Sequence, residues 1–133
     1  MRKIFIFLCL SYMTSGVFAN SIMLDNKTNY PQKNKFGKIA VQWAVSVKEV
    51  QKANKSVLHD ATLNTNSFMM LAQNGKIKLN SPNNARYFRV IVWSNDQEKP
   101  DLLTNWVDII PNKTYVLNQN QLVPRVLMAG AGC

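Results

Sequence analysis

KIAVQWAVSVK, residues 38–48, decides the fold. Ile39, Val41, Trp43, Val45 and Val47 alternate with Ala40, Gln42, Ala44, Ser46 and Lys48. Successive side chains of an extended chain point to opposite faces, so a period of two reads as a half-buried β-strand. The stretch that follows, VKEVQKANKSVL (47–58), is read as a loop. A short helix with Val47, Val50, Val57 and Leu58 on one face is the alternative.

The same period recurs further along. RYFRVIVWS (86–94) has Phe88, Val90 and Val92 on one side and Tyr87, Ile91 and Trp93 on the other, the pattern of a central strand covered on both faces. In NSFMMLAQNGKIKLN (66–80), Asn74-Gly75 is a preferred hairpin turn, because both residues tolerate positive φ. Folding there sets Ala72 opposite Ile77 and Met70 opposite Leu79, with Phe68 extending that face and Lys76 and Lys78 turned away.

WVDIIPNKTYVLN (106–118) predicts two strands around Pro111-Asn112-Lys113. QLVPRVLMA (121–129) predicts a last strand at a sheet edge, since Pro124 has no N–H for a ladder. A short strand from Ser21 to Asn26 and a weaker one from Val57 to Leu63 complete the set. The expectation is an all-β, antiparallel two-sheet β-sandwich, immunoglobulin-like or related, of about seven or eight strands. Trp43, Phe68, Phe88, Val90, Val92 and Val107 are its expected core.

The first residues, MRKIFIFLCLSYMTSGVFAN, have a cationic start at Arg2 and Lys3, an apolar run and small residues near Ala19. These are the three parts of a secretory signal peptide, with cleavage expected after Ala19. The apolar run from Ile4 to Met13 is ten residues, half of the roughly 20 that a bilayer span needs. Cys9 does not suit lipid attachment, because Phe7 and Leu8 stand where small residues are required. The expectation is therefore a signal peptide over 1–19 and one exported domain over 20–133, secreted or periplasmic, with no transmembrane segment and a flexible tail at 129–133.

Sixteen Lys and Arg face seven acids, a formal charge of +9 that falls to +7 once Arg2 and Lys3 leave. Abundant Asn and Lys fit an AT-rich bacterial genome. Positive charge draws a protein to polyanions. Lys33, Lys35 and Lys38 precede the first long strand, Lys76 and Lys78 share one hairpin face, and Arg86 and Arg89 alternate with aromatic residues. These seven are the expected anionic-ligand contacts. Export argues for anionic lipid or acidic glycan and against nucleic acid.

Catalytic chemistry finds little purchase. His59 is the lone histidine, and its neighbour Asp60 would point to the other face of an extended segment. Zinc requires about four Cys or His ligands, whereas Cys133 and His59 are all that the exported domain offers. Asp96, Glu98 and Asp101 lack the spacing of a calcium loop. No Gly-x-Ser-x-Gly elbow and no phosphate-cradling glycine loop is present. No enzyme, metal or cofactor is expected.

Cys133 closes a Gly- and Ala-rich tail, and an odd exposed thiol in an oxidising compartment predicts an intermolecular disulfide, to a partner or a second copy. The primary expectation is thus a secreted binding module, of the effector or virulence type, that docks on anionic surfaces. The alternative is a periplasmic or envelope assembly component acting through strand-edge contacts. For that role the strand near Ile22 to Leu24 is the expected edge, since Pro124 blocks the other.

Overall fold

The computed structural model describes residues 21–32, 37–58, 67–95 and 99–130. The signal peptide, Lys33, Lys35, His59, Asp60, Asp96, Glu98 and Cys133 lie outside the described residues. The chain forms an all-β sandwich of two sheets with few helices. Its elements are β1 (Ser21–Asn26), β2 (Lys38–Ala44), α1 (Val47–Leu58), β3 (Phe68–Met70), β4 (Gly75–Asn80), β5 (Tyr87–Trp93), β6 (Leu102–Leu103), β7 (Val107–Asp108), β8 (Thr114–Leu117), a 3₁₀ turn (Gln119–Gln121), β9 (Val123–Pro124) and α2 (Arg125–Gly130).

The smaller sheet runs β4-β1-β8, and the larger runs β3-β2-β5-β6-β9, with β7 also on β5. The two meet through inward-facing side chains. Ile22 and Leu24 of β1, Leu79 of β4 and Leu117 of β8 face Ile39, Val41 and Trp43 of β2 and Phe88, Val90 and Val92 of β5. A second cluster of Ala40, Ile91, Trp93 and Leu103, with Phe68 against it, occupies the other face of the larger sheet. Strand β5 is therefore central and covered on both faces, as its two apolar faces require.

Several expectations are corrected. Strand β1 is not an edge: it is the middle strand of its sheet, antiparallel to β4 and parallel to β8. The sheets are accordingly not wholly antiparallel. The Asn74-Gly75 hairpin does not form, because β3 pairs with β2 while β4 pairs with β1. Residues 71–74 carry the chain across the sandwich instead. Gly75 takes φ +85°, and the Asn74 amide donates to the carbonyls of Thr28 at 2.8 Å and Tyr30 at 2.6 Å, fastening the crossing to the loop after β1. Leu79 is buried, whereas Met70, its expected partner, is 48% exposed.

The run from 38 ends as a strand at Ala44. Val47 to Leu58, read as a loop with a short helix as the alternative, is helix α1, which takes in Val57 and Leu58 of the expected weak strand; its remaining residues, 59–63, lie outside the described residues. Ser46 caps it: its Oγ accepts from Glu49 N–H at 3.2 Å, and the Glu49 carboxylate accepts from Val45 N–H at 3.4 Å. Ser-x-x-Glu before an apolar residue is a helix-start signal that strand periodicity masked. Trp43, Phe88, Val90 and Val92 are buried as expected, Phe68 is half-buried and Val107 is 38% exposed.

Pro124 does sit at an edge, pairing with Leu102 at the end of the larger sheet. Residues 106–118 do form two strands, but in different sheets. Tyr115 joins them, its hydroxyl donating to the Asp108 carbonyl at 2.5 Å and accepting from Ile110 N–H at 2.9 Å.

Candidate functional site

An unpaired strand edge offers a row of N–H and C=O groups to another chain, and proteins guard such edges with lysine, proline or brevity. Among the described residues four of the five edge strands are guarded in this way. β3 is three residues long, β7 is two, β9 is two including Pro124, and β4 carries exposed Lys76 and Lys78. The fifth, β8, has neither Lys nor Pro among its residues Thr114–Leu117.

The ladder fixes which of its backbone groups are free. Met23 N–H donates to Lys113 O and Lys27 N–H donates to Leu117 O, both at 2.9 Å, so residues 113, 115 and 117 address β1. By alternation the N–H and C=O of Thr114 and Val116 point the other way. Among the described residues β1 is the sole ladder partner of β8.

A cleft of about 410 Å³ lies on this flank of the sandwich, with Val116 among its lining residues. Leu24, Tyr115 and Leu117 line it from the smaller sheet, and Phe88 and Val90 from the larger. Thr104, Asn105, Asn120 and Gln121 supply its polar atoms. Phe88 and Tyr115 meet edge to face at 4.9 Å. Exposed apolar side chains gather on the same segments: Val107, Ile110 and Val116 are 38%, 49% and 48% accessible.

One wall of the cleft is built where the strand beside β5 breaks between β6 and β7. Thr104 fills the break, its N–H donating to Val90 O at 2.9 Å and its hydroxyl accepting from Val90 N–H at 2.8 Å. Trp106, two residues on, turns to the opposite face and donates from Nε1 to Asn54 Oδ1 of α1 at 3.0 Å. Arg89 completes this network, donating to Gln42 Oε1 at 2.7 Å and Asn54 Oδ1 at 2.9 Å with its guanidinium 4.6 Å from the Trp106 ring centre. Burial lowers its pKa from the ordinary guanidinium value to about 10, so it stays charged at neutral pH.

Arg89 is thus 1% exposed and a structural residue, which removes it from the expected anion-binding surface. Lys38, Lys76, Lys78 and Arg86 are exposed but not gathered. Lys76 and Lys78 lie on the smaller sheet, while Lys38 and Arg86 stand at opposite ends of the β2–β5 ladder. Seven residues of strand separate those two ends, on the order of 20 Å. Asn-x-Ser/Thr matches stand at Asn26, Asn54 and Asn112; Asn26 is buried and Asn54 is engaged with Arg89 and Trp106.

The groove was not legible as a motif, because its lining comes from seven separate strands and turns. The signal that was present is the absence of Lys and Pro from TYVL, in a chain that has them at other edges.

Among the described residues no three His, Cys, Asp or Glu side chains gather into a metal site, and no helix is long and apolar enough to cross a membrane. No protein-family profile and no curated protein matches the chain. Among solved structures it is similar to Serratia marcescens Lip, a membrane-bound component of the type VI secretion system. The two are 19% identical, over 80% of this chain and 95% of that one, with a TM-score of 0.33.

Proposed function

We propose that this chain is an exported, non-catalytic envelope component that joins an assembly by accepting an extended segment of a protein partner along β8. The observation that carries the reading is the unguarded β8 edge beside an apolar cleft. Main-chain hydrogen bonds to Thr114 and Val116 supply affinity in strand addition, and alternate side chains of the incoming segment fill the cleft. The signal-like residues 1–19 support export. The dispersal of Lys38, Lys76, Lys78 and Arg86 favours protein contact over docking on an anionic surface.

The test is photocrosslinking in the producing cell, with benzoylphenylalanine at position 116 or, as the control, at position 78 on the lysine-guarded edge. A discrete protein adduct from 116, absent from 78 and lost when Thr114→Pro closes the edge, is the expected result. Equal adducts from both positions, or none from 116, would overturn the proposal.

A further inference from the structure

The chemistry of the cleft constrains what can lie in it. None of its lining residues is charged. A charged side chain inserted there would lose water and gain no counter-ion, which is costly. An extended segment alternates its side chains, so those directed inward must be uncharged and those that fill the space between Phe88 and Leu117 must be apolar.

The mouth differs from the floor. Lys113 immediately precedes β8, and its Nζ stands 4.8 Å from the ring centre of Tyr115, a residue that lines the cleft. The exposed Asp108 lies on β7 at the same end, where Tyr115 holds its carbonyl, and offsets part of this field. At the other end Lys27 is exposed, and its N–H is bonded to Leu117. Across the whole chain cations prevail, with a net charge of +9. A second copy would bring the same charge and the same lysines to the interface, so like charges oppose self-pairing at this edge.

We infer that the segment accepted along β8 belongs to a different protein, carries uncharged apolar side chains at alternate positions, and bears a carboxylate flank that meets Lys113. This rests on the strand-addition reading above and specifies its partner. The apolar positions supply burial, and the carboxylate speeds encounter and sets register.

Three synthetic peptides added to the isotopically labelled exported chain test the inference. The first is Glu-Val-Thr-Val-Thr-Val-Glu, the second has Lys at both ends, and the third has Glu in place of the central Val. The expected result is movement of the Thr114 and Val116 amide signals with the first peptide. It should bind about tenfold more tightly than the second at low salt, with a smaller gap at high salt. The third should bind more weakly than the first, and Lys113→Glu should reverse the order of the first two.

Equal binding of the Glu- and Lys-flanked peptides, with the Thr114 and Val116 signals moving, would overturn the carboxylate preference and leave strand addition standing. Failure of every peptide to move those signals would overturn both. Movement of the same signals with protein concentration alone would identify a second copy as the occupant and overturn the inference.

Discussion

The guanidinium of Arg89 lies 4.6 Å from the ring centre of Trp106, and both side chains donate to Oδ1 of Asn54. One amide oxygen on α1 thereby holds the central strand β5 and the segment that walls the cleft. Helix α1 and the cleft lie on opposite faces of the larger sheet, so this contact ties one face to the other.

Asn54→Ala removes the acceptor shared by the buried Arg89 and the half-buried Trp106. The expected cost is about 2 kcal/mol of stability, because unsatisfied buried donors carry their full desolvation penalty. Urea denaturation measures it. Val107 and Thr104 amide exchange should also quicken more than that of β1, since the cleft wall loses its anchor.

Arg89→Met leaves the Gln42 amide oxygen without its donor and Asn54 Oδ1 with Trp106 alone, and should cost about 3 kcal/mol. The pH dependence has a definite sign. Burial lowers the folded-state value to about 10, so the unfolded chain holds this proton more tightly. Stability from this group therefore rises as pH climbs above about 10 towards the ordinary guanidinium value, and below that window both states are protonated. The difference in denaturation midpoint between wild type and Arg89→Met should accordingly be flat from about pH 6 to 9. A slope in that range would contradict the assignment.

Proline separates the two sides of β8. At Val116 it removes an N–H that points away from β1, so Val116→Pro should cost about 1 kcal/mol or less while closing the edge to an incoming strand. At Tyr115 it removes a ladder N–H together with the hydroxyl that binds Asp108 and Ile110, so Tyr115→Pro should cost more than about 3 kcal/mol. Paired thermal melts read the contrast.

Gly75 has φ +85°, and a Cβ built on it meets nothing within 4 Å. Gly75→Ala should therefore destabilise by about 1 kcal/mol through backbone conformation alone. Asn74→Ala, which loses the bonds to Thr28 and Tyr30, should cost at least as much. Calorimetry of the two single variants checks the ranking.

Period-two patterning determined the strand class, the central place of β5 and the all-β sandwich, because alternation in RYFRVIVWS and KIAVQWA is a local property of extended chain. Pro124 likewise announced an edge by lacking a donor. Strand pairing was not local. Asn74-Gly75 is compatible with a two-residue turn, yet Asn74 found the carbonyls of Thr28 and Tyr30, 46 and 44 residues away, and the chain crossed between sheets. Arg89 looked like surface charge until α1 folded over it and Asn54 and Gln42 satisfied its donors. The free edge of β8 and its cleft exist through the pairing of β8 with β1 across some 90 residues, and hydrogen bonds at that separation are chosen by burial of the shared core rather than by any neighbouring residue.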